Sequence, residues 1–200
     1  MLLLLRTTIA TSTVTIAQRG YIAVQGSHRV WYQTVRPQGA DMGAPLVVVH
    51  GGPQVPSDYL FDLEALAEAR PVVFYDQLGC GRSDSPAADT ADYSVTASVR
   101  DLRAVLSHLG FDRYHLYGQS WGGLLAFEHA SSLDDGVAPL SMVISNTPFS
   151  VPLVESEAAR LVGACDDSVD AFMRTHNLRM EVQPARLAEA YAHAGNTWRG

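Results

Sequence analysis

Apolar and β-branched residues come in short blocks along this chain, and the spacing inside each block sets the element it predicts. Residues 20–25 and 29–35 are two such blocks around Gly26-Ser27, the signature of an antiparallel hairpin. Residues 36–44 hold Pro, Gly and Asp and predict a loop. Pro45-Leu-Val-Val-Val49 and Pro71-Val-Val-Phe-Tyr75 are unbroken apolar runs, which suit strands covered on both faces of a parallel sheet. Between them, Leu60, Leu63, Leu66 and Ala67 share one face of a predicted helix over residues 59–69. Val95, Val99, Leu102, Val105, Leu106 and Leu109 step at helical spacing, with Ser94 as N-cap and Gly110 as stop. Residues 114–117 predict a third parallel strand, 121–131 a helix and 139–145 a fourth strand. This alternation predicts an α/β fold with a mostly parallel sheet.

After Asn146 the pattern changes. Pro148 and Pro152 mark a break, and residues 154–195 carry only helical spacing: Ala158, Leu161 and Val162, then Phe172 and Met173, then Leu187, Ala190 and Tyr191. The expected organisation is a loosely ordered extension over 1–18, an α/β core over 19–150 and a partial helical cap over 151–200. The four leucines of Met1–Leu5 are followed, not preceded, by Arg6, and they fall short of the apolar stretch of a secretory leader.

Composition and charge narrow the function. The 200 residues are 47% hydrophobic and 18% charged, the make-up of one folded domain rather than a disordered tail. All 14 basic residues are Arg, and the net charge is −7. The acidic excess lies in residues 45–150, a poor surface for nucleic acid. No apolar run is long enough to cross a bilayer. Neither a nucleic-acid nor a membrane partner is therefore expected. The two cysteines, Cys80 and Cys165, argue against a disulfide framework and favour a reducing, cytoplasmic setting. The histidines are scattered, with no H-x-x-x-H or C-x-x-C pair, so neither metal nor cofactor is expected.

Three glycine-bearing loops follow three successive predicted strands. Gly118-Gln-Ser-Trp-Gly-Gly123 fits G-x-S-x-G between a strand and a helix. That context puts Ser120 in a sharp turn with its hydroxyl clear of the sheet. Gly118 and Gly122 sit where side chains would collide as strand and helix cross. The Trp121 N–H starts the helix and can stabilise an oxyanion. His50-Gly51-Gly52-Pro53 stands where lipase-type enzymes place a loop that donates the second oxyanion N–H. In Asp76-Gln-Leu-Gly-Cys-Gly-Arg-Ser83, Asp76 and Arg82 read as an ion pair that pins the loop, and Cys80 as a small buried thiol.

Together these loops resemble the proline iminopeptidase family of α/β-hydrolases. Its pattern is H-G-G-P-G, then D-Q-x-G-x-G-x-S, then G-x-S-W-G-G. The segment Val55-Pro-Ser-Asp-Tyr-Leu60 and Cys80 look most like its fungal and actinobacterial branch, which includes amino-acid amidases. The resemblance spans residues 20–150, with one departure: Gln54 stands where the pattern has glycine.

The resemblance implies an α/β-hydrolase fold and a serine aminopeptidase working through an acyl-enzyme on Ser120. The oxyanion would be held by N–H groups of Trp121 and of Gly51 or Gly52. His50, Pro53, Asp76, Arg82, Gly118 and Gly122 would be loop scaffold. The substrate would be a small peptide or amino-acid derivative, typically with N-terminal proline. An amidase or esterase on small amino-acid derivatives is the alternative. The resemblance also implies a triad Asp and His, delivered by strands beyond the cap. Asp166, Asp167, Asp170, His176 and His193 lie in helical segments and read as polar cap residues, and His115 and His129 as structural. Glu155, Glu157 and Glu181 fit solvent-facing helices as well as any amine-binding role. The triad Asp and His are thus expected to be absent, with the last strands missing and an edge unpaired. An inactive truncated fragment is the further alternative.

Overall fold

The computed structural model describes residues 14–37, 43–133 and 136–197. Strands β1 (Val14–Val24) and β2 (His28–Pro37) form the expected hairpin. β1 starts earlier than the apolar pattern indicates, so residues 14–18 of the anticipated extension belong to it; residues 1–13 lie outside the described part. The polar stretch is held by ladder bonds to Arg36, Val35 and Thr34, with a bulge between Ile16 and Gln18, rather than by burial.

Strands β3 (Leu46–Val49), β4 (Val72–Tyr75), β5 (His115–Gln119) and β6 (Ser141–Ser145) follow. The six strands lie in the order β1-β2-β4-β3-β5-β6. β2 meets β4 antiparallel, and β4, β3, β5 and β6 run parallel. All four parallel strands therefore end at one edge, where ligands bind in open α/β sheets.

Alternation along β3 explains the two-sided core. Val47 and Val49 face helices α1 (Val95–His108) and α2 (Trp121–Ser131), packing with Val73, Tyr75, Leu102, Val105, Leu116 and Leu125. Leu46 and Val48 face the other way, onto Leu60, Ala67, Val72 and Phe74. An unbroken β-branched run suits a strand with no solvent face.

The segment between β3 and β4 is a 3-10 helix, Ser57–Glu68, not the anticipated α-helix. Leu60 and Ala67 are buried while Leu66 is 47% exposed, so the four expected positions do not share one face. C-terminal to β6 come α3 (Val151–Gly163), α4 (Val169–Phe172), a π turn (Met173–Asn177) and α5 (Ala185–Ala192). α5 packs on the 3-10 helix with Ala190 fully buried, and Arg186 lies 3.4 Å from Asp62.

Candidate active site

Ser120 occupies the turn between β5 and α2 with φ 52° and ψ −119°. A side chain rarely adopts that backbone, and holding it there costs about 1–3 kcal/mol. The turn is clamped from both sides. Ser120 N–H donates to the Ser145 carbonyl at 2.8 Å, and the Ser120 carbonyl accepts from Gly123 at 2.9 Å. A Cβ on Gly118 would fall 2.5 Å from the Gly122 oxygen and the Gly123 Cα. One on Gly122 would fall 2.6 Å from the His50 oxygen. The crossing of strand and helix thus requires glycine at both places. Ser120 is half-buried, and its hydroxyl has no hydrogen-bond partner among the described residues.

The loop after β3 lies directly against this turn. A Cβ on Gly51 would be 3.1 Å from Ser120 Cβ. Gly51 N–H donates to Tyr59 Oη at 2.8 Å, and Tyr59 Oη–H donates to Gln119 Oε1 at 2.6 Å. Burial pushes the Tyr59 phenol above its ordinary pKa, so it stays protonated and can donate. Of the two loop glycines, Gly52 is the one whose N–H has no acceptor among the described residues. The Gly52–Pro53 peptide is cis, and Gln54 has φ 63°.

His50 is fully buried under this loop. Its Nε2 accepts from Gln77 N–H at 2.8 Å, which leaves Nδ1–H to donate to the Gly51 carbonyl at 3.0 Å. Burial lowers its pKa and keeps the ring neutral. Gln77 also donates to the His50 carbonyl at 2.7 Å and accepts from Trp121 Nε1 at 3.1 Å. One amide therefore joins all three loops.

The loop after β4 is organised by Asp76, whose side chain is wholly buried. One oxygen accepts from Ser57 N–H and Oγ–H at 3.0 and 2.6 Å. The other accepts from Arg82 N–H and the Arg82 guanidinium, both at 3.0 Å. Arg82 also pairs through both nitrogens with Asp58 and lies 4.5 Å over the Trp31 ring. Hydrogen bonding to Asp58 is the main reason its pKa is raised. Cys80 is buried, donates to the Gln77 carbonyl at 3.4 Å, and is held as the thiol by desolvation.

None of the other described histidines is hydrogen-bonded to Ser120. His115 sits at the opposite end of β5, with Nδ1 2.8 Å from Ser141 Oγ. His129 is buried at the far end of α2, between Tyr114 Oη at 2.7 Å and Arg103 Nε at 3.3 Å. His176 lies in the π turn beside Phe172. His193 is held by Glu189 of its own helix. Asp166 and Asp167 form a left-handed turn after α3, and Asp170 lies in the first turn of α4. Glu157 is paired with Arg160. No group of three metal-ligating side chains occurs among the described residues, and no helix there is long and apolar enough to cross a membrane.

Sequence reasoning named the loops but not the residues that join them. Tyr59, Gln77 and Gln119 lie inside or beside the motifs, yet their roles depend on partners up to 60 residues away. Within the motifs, the one available signal was a glutamine beside Asp76 and another beside Ser120.

Residues 44–175 match the family model described as the alpha/beta hydrolase fold. A proline iminopeptidase of Heyndrickxia coagulans is 39% identical over 141 residues, covering 70% of this chain and 47% of that protein. One from Thermoplasma volcanium is 31% identical over 206 residues, covering 90% of this chain and 68% of that protein. The crystal structure of a Mycobacterium smegmatis proline iminopeptidase superposes with a TM-score of 0.76 at 32% identity, over 88% of this chain and 66% of that one. Fold and loops thus define an α/β hydrolase. The chain belongs to the proline iminopeptidase family of that class, and it spans about half to two thirds of the length of these relatives.

Proposed function

We propose that this chain carries the nucleophile and oxyanion loops of a serine aminopeptidase that releases an N-terminal residue, typically proline, from a peptide or arylamide. The observation that carries the reading is the turn itself: a strained, half-exposed Ser120 between the His50–Pro53 loop and the start of α2. Ser120 Oγ attacks the carbonyl carbon of the N-terminal residue. A C–O bond forms, the carbonyl π pair moves onto oxygen, and the hydroxyl proton passes to a base. Gly52 N–H and Trp121 N–H hold the oxyanion, the latter at the positive end of α2. Gly51 shapes the loop instead of donating, because its N–H is bonded to Tyr59. Collapse breaks the C–N bond, the base returns its proton to the leaving amine, and the acyl group stays on Ser120. Water then repeats the steps and restores the hydroxyl.

His50, Pro53, Asp76, Arg82, Gly118 and Gly122 are the scaffold of this site in the same reading. Residues 151–197 form a cap, supported by the packing of α5 on the 3-10 helix. The free thiols of Cys80 and Cys165 suit a cytoplasmic setting. The base in this fold is a histidine oriented by a carboxylate, both later in the chain than the serine, and no described histidine is hydrogen-bonded to Ser120 Oγ.

Hydrolysis of a proline arylamide tests the proposal. In a protein that also supplies the base, Ser120→Ala is expected to reduce release by at least about a thousandfold; full activity in that variant ends the reading. Amino-acid amides and simple esters in the same assay separate it from an amidase or esterase using the same turn. A fluorophosphonate labels a serine fast only beside its base. The 200-residue chain is expected to label weakly, and strong labelling would place a working base within it.

A further inference from the structure

Gln54 stands where the family pattern has glycine, and its backbone keeps the left-handed conformation that glycine tolerates best, φ 63°. Its side chain is almost wholly buried. It fills the space over Gly79, where a Cβ would strike the Gln54 amide, and it is covered from the other side by Gly195, where a Cβ would lie 2.9 Å from Gln54 Cδ. Two backbone donors of the C-terminal segment converge on this residue. Gly195 N–H donates to the Gln54 carbonyl at 2.9 Å, and Thr197 N–H donates to Gln54 Oε1 at 3.0 Å. A third bond, from Gly81 N–H to the His193 carbonyl at 3.0 Å, ties the same segment to the loop after β4.

We propose that Gln54 is a positioning residue that couples the oxyanion loop to residues 193–197, so that the placement of Gly52 N–H depends on that segment being docked. The inference rests on the hydrolase reading for its consequence in turnover, but not for the contact itself. Gly52 and Gln54 are separated only by Pro53, and the loop is tight: a Cβ on Gly52 would be 2.6 Å from the Gln54 and Val55 nitrogens. Pulling Gln54 out of place therefore moves Gly52. A glycine at position 54 would keep the same backbone turn but could offer the segment only its carbonyl. The glutamine adds a second acceptor and a wedge between two glycines.

Amide hydrogen exchange separates the possibilities. Gln54→Met keeps the length and removes the acceptor; Gln54→Glu keeps an acceptor oxygen. In Gln54→Met, exchange at Thr197 is expected to rise about five- to tenfold, the loss of one net hydrogen bond, with a parallel rise at Gly51, the amide beside Gly52 that is protected by its bond to Tyr59 Oη. Gln54→Glu is expected to restore both. Thr197→Pro removes the donor, leaves the core untouched, and is expected to raise exchange at Gly51 in the same way. Unchanged exchange at Thr197 in Gln54→Met overturns the contact. A change at Thr197 with none at Gly51 overturns the coupling. With a proline arylamide, Gln54→Met is expected to lower kcat about fivefold with KM within about twofold, and Gln54→Glu to rescue it; a loss confined to KM overturns the positioning role. If the wild-type protein turns over no arylamide, exchange alone decides the coupling.

Discussion

His129 and Asp101 are both buried titratable groups, and burial moves them in opposite directions. Burial first, then the charge of Arg103, lowers His129 from an ordinary 6.5 to about 4. Burial raises Asp101 from 3.8 to about 6, against a hydrogen bond from Gln25. For His129 the unfolded chain binds the proton more readily, so stability present above about pH 6.5 is lost as pH falls toward 4. For Asp101 the folded chain binds it more readily, so stability present below about pH 4 is lost as pH rises through 6. The two slopes oppose each other between about pH 4 and 6. Asp101→Asn removes one of them and retains the oxygen that accepts from Gln25. The variant is expected to melt higher than the wild type at pH 8, by about 1–3 kcal/mol, and to lose stability more steeply on acidification. Melting curves from pH 4 to 8 check this; parallel curves for the two proteins would contradict it. None of this was legible in the sequence. A histidine on a helix and an aspartate on another give no sign of burial until Tyr114, Arg103 and Gln25 are placed around them.

At the scale of elements, legibility followed burial. β3 and β4 read as strands because every residue is apolar, and every one is buried on both faces. α1 read as a helix because its apolar stripe is regular and Ser94 caps it, accepting from Ala97 N–H at 3.1 Å. Ser94→Ala is expected to cost about 1 kcal/mol, a fall of about 2–4 °C in Tm for a chain of this size. An unchanged melting curve would show that tertiary packing alone holds the first turn. The 3-10 helix was misread because apolar residues three apart fit both helix types. What selects the tighter winding is tertiary: Ser57, Asp58 and Tyr59 are drawn to Asp76, Arg82 and Gly51 at one end, while α5 covers the outside. The early part of β1 was missed because ladder bonds to β2 leave no hydrophobic pattern.

Across the whole molecule, the three loops meet because β3 lies between β4 and β5 and all three end at the same edge. Each motif is local, so the site could be listed from sequence. The contact of Gln54 with Thr197 could not, because it joins a side-chain oxygen to a backbone N–H 143 residues away. The other flank of the sheet is different. Among the described residues β6 pairs only with β5, and Val143 and Ile144 are 52% and 42% exposed. Phe127, Leu140, Phe149 and Leu153 add exposed apolar surface nearby in sequence. An open apolar strand edge invites pairing with a second chain. The 200-residue chain is expected to associate as concentration rises, and Val143→Lys to suppress this. Light scattering over a dilution series measures it; equal scattering from both proteins would rule out this edge as the cause.

The backbone of Ser120 sets two kinds of selection against each other. Glycine could occupy φ 52° and ψ −119° without the penalty a side chain brings there, so Ser120→Gly is expected to raise Tm by about 2–4 °C, the equivalent of roughly 1 kcal/mol, while removing the nucleophile. In a library of position-120 variants, screening for heat resistance would enrich glycine, and screening for turnover would retain serine. If serine prevailed in both screens, the turn would carry no strain to release. At position 120 this chain thus departs from its most stable sequence in favour of the nucleophile.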